Sequence, residues 1–494
     1  MDKYILSLDQ GTTSSRAIIF NHAGQIIAEE QKEFKQYFPK PGWVEHDANE
    51  IWETQLFVAR NVFKKSGISI NQIASIGITN QRETVVLWDR KTGEPIYRAI
   101  VWQCRRTSEM CKVIEETGIK NIIRSKTGLI LDAYFSGTKI KWLLDNVSGL
   151  RERALNGEIC FGTIDSWLLY KFTGNHCTEP TNASRTLLFN INTGKWDDEL
   201  LDIFEIPKEI LPKIQPTSSY FGKTEKKYLG AEITISGMAG DQQAALFGQA
   251  CFDVGDCKNT YGTGCFALIN TGKKPAFSEN KLLTTIAWDL GEGLEYALEG
   301  SVFIGGAVIQ WLRDKLGLIQ NAYETEALAH SVEDTAGVYM VPAFVGLGAP
   351  YWNSDARGTI LGLTRGTTKA HIVRAALESI AFLSRDLIEA LQKDCGTRIS
   401  TLKVDGGASA NKFLMQFQAD ILGIPVIQPA FTETTALGAA YLAGLYSGYW
   451  DNKDIIRENW HIKNTFKPKL DLYKRRRIIR NWDKAVKSTL EFKL

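Results

Sequence analysis

The run KYILSLDQGTTSSRAIIF at positions 3–20 constrains this chain more than any other, because of the residues that come after its glycine. A short apolar segment at 4–8 ends in Asp9, and a Gly/Thr/Ser turn follows at 11–15. The next residues, RAIIF at 16–20, are too short and too β-branched for a helix, and NHAG at 21–24 breaks the run. The pattern predicts strand, turn, strand. A Walker P-loop or a Rossmann loop passes from strand into helix, so both are disfavoured here. What remains is a hairpin tip rich in backbone N–H and hydroxyl donors, with a carboxylate at its entrance. Such donors suit phosphate oxygens, and the acid suits an accompanying Mg²⁺.

Taken alone, that tip is an ordinary solvated turn. A second hairpin changes the reading. Residues 257–261, the turn Gly262-Thr263-Gly264 and residues 265–270 again predict strand, turn, strand. Gly262–Ala267 fits the dinucleotide pattern G-x-G-x-x-A, but it runs into Asn270-Thr271-Gly272, a turn and not a helix. Gly222-Lys223-Thr224 looks like the end of a Walker A motif, yet Thr217 stands where its first glycine belongs. Paired hairpins of this kind resemble the phosphate-binding arrangement of the actin/hexokinase/Hsp70 superfamily.

At 494 residues the chain exceeds what one hydrophobic core supports, so two large domains are expected, 1–250 and 251–494. A net charge of +2, with Lys and Arg spread along the chain, gives no nucleic-acid or membrane footprint. The one basic cluster, 474–477, reads as the solvated face of a C-terminal helix. No segment is long and apolar enough to span a bilayer, and Asp9 stands where a secretion signal needs its apolar core. The eight cysteines show no C-x-x-C spacing and, with six scattered histidines, give no zinc pattern. They read as reduced, mostly buried thiols of a cytoplasmic protein. Asn182-Ala183-Ser184 is a chance sequon on that view.

Between the hairpins, strands and helices alternate. Asp47-Ala48-Asn49-Glu50 predicts a capping box before a helix that Gly67 closes. Strands are expected at 73–79, 84–88 and 233–240, and helices at 135–146, 163–172, 301–316 and 370–393. Small residues at 436–444 predict a helix packed closely on its neighbours.

Four sites carry candidate chemistry. Arg82-Glu83 follows a strand; a surface ion pair is the plain reading, and a polar clamp on the neighbouring hydroxyls of a polyol is the functional one. Asp241 stands between a strand end and a helix start, either as a helix cap or as a general base. Trp102 and Tyr134 would be core aromatics in most proteins, although Tyr134 also carries a hydroxyl. Asp405-Gly406-Gly407 follows a strand, its glycines let a flat ligand approach the backbone, and Asn411 can cap the next helix.

Assembled, these residues resemble the FGGY carbohydrate kinases over nearly the whole length. YFSGTKIKWLLDN at 134–146 and GTILGLTRGTTKAHIVRAALE at 358–378 are similar to the two long signatures of that family. DQGTTSSR, NQRET, GDQQAALFGQ, NTYGTGCF and VDGGASAN are similar to its glycerol-phosphorylating members, and much less so to xylulose or gluconate kinases. The segment at 220–231 is much less similar to the family and contains no histidine, which puts in doubt here any regulation that depends on this loop in relatives.

The resemblance implies two ribonuclease-H-like, actin-like ATPase α/β domains, with mixed sheets flanked by helices and a central cleft. It implies Thr12, Thr13, Ser14 and Arg16 at the nucleotide phosphates, and Asp9 at Mg²⁺, mostly through water. Arg82, Glu83, Tyr134, Asp241 and Gln242 would hold the hydroxyls of glycerol, with Trp102 and Phe266 over its carbons. Thr263, Gly306, Gln310, Gly407 and Asn411 would contact ATP or ADP. The expected reaction is in-line phosphoryl transfer from ATP to glycerol with Asp241 as base, and the expected assembly is a homo-oligomer, dimer or tetramer. Another small polyol such as erythritol remains open as substrate. An actin- or Hsp70-like ATPase also remains open, although it leaves Arg82-Glu83 and Asp241-Gln242 without a role.

Overall fold

The computed structural model describes residues 2–492. The first hairpin pairs β1 (Tyr4–Gln10) antiparallel with β2 (Ser14–Phe20), and β3 (Ile26–Glu33) continues antiparallel beyond β2. On its other side β1 runs parallel to β4 (Ile73–Asn80). An edge strand, β5 (Ser218–Lys223), lies antiparallel to β6 (Thr234–Gly240), which is parallel to β4. The six strands run β5-β6-β4-β1-β2-β3.

The second half repeats this plan. β7 (Cys257–Tyr261) and β8 (Cys265–Gly272) form the second hairpin. β9 (Leu283–Asp289) and β10 (Leu294–Val302) follow antiparallel, with β10 beside β8. On the other side of β7 lie β11 (Leu402–Asp405) and β12 (Val426–Pro429), both parallel to it in sense, and β13 (Ile462–Phe466) closes the edge. The order is β9-β10-β8-β7-β11-β12-β13. Counted from each hairpin's first strand, both sheets share a core in which the first two strands are antiparallel and two later strands lie parallel to the first on its other side. That is a duplicated ribonuclease-H-like unit, as expected.

Most helices form where their signals stand. α1 (Ala48–Ser66) begins at Asp47, whose carboxylate accepts from the Asn49 and Glu50 amides, and ends at left-handed Gly67. The capping box forms only by half, because the Glu50 carboxylate accepts from the Lys35 amide at 3.0 Å, tying β3's exit to the helix. α2 (Ser136–Asn146), α3 (Ile164–Thr173) and α4 (Asp241–Gly248) follow. The helix expected at 301–316 is a correction. Ser301 lies in β10, and the helix is only α5 (Ala307–Asp314). The apolar residues across 302–312 do fall at helical spacing, but Gly305-Gly306 must turn tightly against the second hairpin first. An added Cβ at Gly306 would stand 2.8 Å from the Gly262 carbonyl oxygen.

α6 (Lys369–Cys395) and α7 (Lys412–Leu422) pack on the second sheet's side of the molecule. α8 (Thr434–Tyr446) does not: it packs against β1, β4, β6 and α4 of the first half. Its small residues make that approach possible. A Cβ on Gly77 would lie 2.1 Å from the Ala439 carbonyl oxygen, and one on Gly438 would lie 1.8 Å from that of Ala244. The basic cluster at 474–477 lies on α9 (Leu472–Glu491) and is mostly solvated. All eight cysteines are free and seven are buried. Asn182 of the sequon is fully buried, bonded to Asn80 and Glu179.

Candidate active site

The loop after β4 carries Arg82 and Glu83. It is tied down locally: the Gln81 amide donates to the β1 carbonyl of Gln10 at 2.7 Å. Glu83 adopts φ 60°, a left-handed conformation that a non-glycine residue holds only when its surroundings fix it. Its carbonyl accepts from Ser136 Oγ at 3.1 Å and from Lys139 Nζ at 3.4 Å, both at the start of α2. Lys139 is fully buried and also donates to the carbonyls of Tyr134 and Phe135. Burial pushes its ammonium down to about 8, against the pull of Glu83. One lysine thus pins the backbones of Glu83 and Tyr134 together.

Arg82 and Glu83 are 3% and 2% exposed, which rules out the surface ion pair. They barely engage each other, at 3.9 Å. Arg82 instead forks onto Glu299, donates to Gln243 at 3.1 Å and pairs through Nε with Asp241 at 3.0 Å. Glu83 accepts from Arg185 Nε at 2.6 Å, and Arg185 Nη2 reaches Glu299 at 3.0 Å. Arg185 and Glu299 were not legible as site residues. Burial alone would push the Glu299 carboxyl up, but Arg185 and Arg82 outweigh it and hold Glu299 down at about 2.

Asp241 opens α4, directly after β6. Gly240 is the residue at the cap position, and no side chain caps the helix; the Asp241 carboxylate accepts from the Gln242 amide at 2.7 Å. Its side chain is 35% exposed, so it stays accessible. Burial of the remainder pushes its carboxyl above the ordinary aspartate range, against Arg82 and Lys258. Gln242 is buried and accepts from Lys258 Nζ, which also donates to Thr260 Oγ1 at 2.9 Å. Lys258, on β7, is another residue the sequence did not single out; burial pushes its ammonium down.

Tyr134 and Trp102 are half-buried and meet edge to face, with ring centroids 5.6 Å apart. The Trp102 indole N–H donates to Thr12 Oγ1 at 3.1 Å, joining the aromatic pair to the first hairpin's tip. At that tip the Gly11 amide donates to the Ser14 carbonyl at 2.9 Å, leaving Thr13 exposed and Ser14 held by Gln31 at 2.9 Å. Buried Asp9 pairs with Arg16, and Arg16 also pairs with Glu433 immediately before α8. These oxygens are hard donors of the kind a hydrated Mg²⁺ takes.

The second hairpin lies against the start of α5: the Gly306 amide donates to the Gly262 carbonyl at 2.8 Å, and the Thr263 carbonyl accepts from Gly305 at 2.8 Å. Thr263 and Gln310 are exposed, and Phe266 is half-buried. Gly406 has φ 83°, and a Cβ there would stand 2.6 Å from the Tyr261 carbonyl oxygen, so the strand-to-turn junction requires glycine twice over. Gly407, by contrast, has nothing within 4 Å of an added Cβ, so its backbone is open to a ligand. Asn411 caps α7 through the Leu414 amide at 3.0 Å and donates to Thr325. Of the glycerol candidates, Glu83 and Asp241 stand directly beside Arg82, while Trp102 reaches the first hairpin and Phe266 lies on the second; the nucleotide candidates line the two hairpins and the Gly407 turn.

Comparison with known proteins agrees over the full length. Residues 4–248 match the N-terminal domain, and residues 257–446 the C-terminal domain, of the FGGY family of carbohydrate kinases. Glycerol kinase of Caldanaerobacter subterraneus is 59% identical over 494 residues, covering 100% of this chain and 99% of its own. Glycerol kinase of Deinococcus radiodurans is 60% identical over 486 residues, covering 98% and 97%. The solved structure of Plasmodium falciparum glycerol kinase with ADP has a TM-score of 0.94 at 40% identity, covering 100% of this chain and 99% of that one.

Proposed function

The chain belongs to the FGGY family of carbohydrate kinases, and we infer that it transfers the γ-phosphoryl group of ATP to glycerol, giving sn-glycerol 3-phosphate and ADP. Full-length identity of 59% to a curated glycerol kinase carries this reading, and the buried arginine–carboxylate pocket beside Asp241 fits it.

We assign the residues as follows. Arg82, Glu83, Tyr134 and Gln242 hold the glycerol hydroxyls, with Trp102 and Phe266 over the carbons. Asp241 accepts the proton of a terminal hydroxyl as that oxygen forms its bond to the γ-phosphorus. The bond to the β,γ-bridging oxygen breaks, and ADP leaves with its electron pair. The backbone donors and hydroxyls of Thr12, Thr13, Ser14 and Thr263, with the Arg16 guanidinium, offset charge on the phosphates. Gly306, Gln310, Gly407 and Asn411 take the rest of the nucleotide. Magnesium, held by Asp9 through water, would lend positive charge to the phosphates. Support for Asp241 as base is its accessible, burial-raised carboxyl held by Arg82.

We place the domain boundary at 250/251, supported by the loop between α4 and β7, which separates the two sheets in sequence. The cytoplasm is the compartment we assign, supported by the eight free thiols. A homo-oligomer, dimer or tetramer, is the assembly we propose; exposed Phe38 and Tyr323 offer apolar surface for it, and sedimentation equilibrium tests it. Among the described residues no helix is long and apolar enough to cross a membrane.

ADP release measured across glycerol, erythritol, propanediols and a control without acceptor tests the activity. Glycerol should be preferred over 1,2-propanediol, because a lost hydroxyl leaves a buried polar group unpaired at about 1–3 kcal/mol. ADP release as fast without acceptor as with glycerol would instead make the protein an ATPase.

A further inference from the structure

The glycerol clamp leans on a residue of the other sheet. Arg82 and Arg185 both belong to the first half, yet the carboxylate that holds them together is Glu299 of β10. Glu299 lies mid-strand, registered against Leu268 of β8 on one side and Leu283 of β9 on the other, so its backbone cannot drift. Its Oε2 accepts from Arg82 Nη1, and its Oε1 accepts from Arg82 Nη2 at 3.1 Å and Arg185 Nη2 at 3.0 Å.

The donor count explains the consequence. A guanidinium has five N–H groups. In Arg82 one goes to Gln243 and two to Glu299, while Nε only pairs by charge with Asp241, so two N–H groups, one on Nε and one on Nη2, are not committed by hydrogen bonds. Arg185 likewise occupies Oε1 of Glu83 and leaves Oε2 for a ligand. Glu299, together with Gln243, thus fixes which guanidinium atoms stay free and where they stand.

We propose that Glu299 is a positioning residue for glycerol, aligning Arg82 and, through Arg185, Glu83 from the nucleotide-binding side of the molecule. This rests on the assignment of Arg82 and Glu83 to glycerol. The glycerol site is therefore complete only with the second domain in place.

Glu299→Gln keeps the shape and removes the charge. Glycerol Kd, read by calorimetry without nucleotide, should rise about tenfold or more, the loss expected for a hydrogen bond between charged groups. Glycerol KM should rise in step, with kcat falling less than KM rises and ATP KM within about threefold. Arg185→Lys, which keeps the charge but loses the planar fork that reaches Glu83 through Nε and Glu299 through Nη2, should show the same split. Parental glycerol affinity in whichever variant folds overturns the proposal. So does a parallel loss of glycerol and ATP affinity, which would mark a merely structural residue. Failure of the unmodified protein to turn over glycerol would instead overturn the functional reading.

Discussion

A single methyl group buried between two helices should cost this enzyme most of its turnover. Gly438 of α8 lies on Ala244 of α4, one turn after Asp241. An alanine there would set its Cβ 1.8 Å from the Ala244 carbonyl oxygen, 2.6 Å from its carbon and 3.0 Å from the Gly248 amide nitrogen. The atoms met are backbone, so no side-chain rotation relieves the contact. Nor can α8 retreat freely, because Gly77 of β4 is packed as tightly against the Ala439 carbonyl. Ordinary contact requires the helices to part by about 1.5 Å, and a misplacement of about 1 Å in a catalytic group costs about 10²-fold. Gly438→Ala should therefore lower kcat about 100-fold and destabilise the fold by about 1–3 kcal/mol, the usual range for overpacking. The assay is ADP release at saturating ATP and glycerol, beside thermal denaturation of the same samples. Gly444→Ala is the control. Its Cβ would meet the Trp450 ring at 2.1 Å, at the far end of α8, so it should destabilise without a matching loss of kcat. A folded Gly438→Ala protein with parental kcat would refute the claim that this helix contact sets Asp241.

Asp241→Asn should retain glycerol binding within severalfold by calorimetry while lowering kcat about 10²–10⁴-fold, the usual contribution of a general base. Because burial raises the Asp241 carboxyl in the free protein, the acid limb of the parental kcat/KM profile should lie above the ordinary aspartate range, and activity should fall as pH drops through it. Arg82→Ala or Glu83→Ala should raise glycerol KM strongly, at a cost of about 2–5 kcal/mol, and leave ATP KM nearly unchanged; unchanged glycerol affinity in both would return the pair to a structural role. His46 is fully buried, its Nε2 has no partner, and burial pushes its ring down to about 4. The unfolded chain takes up that proton first, so stability is lost as pH falls from the unfolded value near 6.5 towards 4. The loss should approach about 2.4 kcal/mol relative to a His46→Asn protein, read from urea midpoints at about pH 7 and about pH 4.5.

What the sequence disclosed was local. Both hairpins, the Asp47 cap, the Gly67 stop and the Gly406-Gly407 turn announce themselves within a few residues, because φ preference and capping are short-range effects. The helix expected at 301–316 failed where two effects competed. Periodic apolar residues favoured a helix, but the strand β10 claims Ser301 and Val302, and Gly305-Gly306 serve the approach to Gly262. Arg185 and Glu299 escaped notice because their partners lie far away along the chain, and Lys258 because nothing beside it in sequence marks its reach to Gln242. One signal was available for two of them: Glu299 and Lys258 are charged residues in the middle of strands whose neighbouring positions are buried. A charge that a sheet buries must find a counter-charge, whatever its neighbours in sequence. For α8 the small residues predicted close packing but not the partner, which turned out to be the first sheet.

The distribution of charge distinguishes the two ligand regions. Around the proposed glycerol pocket Arg82, Arg185, Lys258 and Lys139 stand with Glu83, Glu299 and Asp241, so cations and carboxylates come close to balance. Glycerol is neutral, so a balanced pocket can close over it without leaving a charge unpaired in low dielectric, where such a charge is costly. At the first hairpin the arrangement is unbalanced: one guanidinium, Arg16, lies between two carboxylates, Asp9 and Glu433. An excess of carboxylate would repel a bare polyphosphate, whereas it favours one that arrives with a divalent cation. The sign of each region supports the proposed pairing of a metal-bound nucleotide with an uncharged acceptor. Trp102, whose indole holds Thr12 while its ring meets Tyr134, is the side chain that joins them.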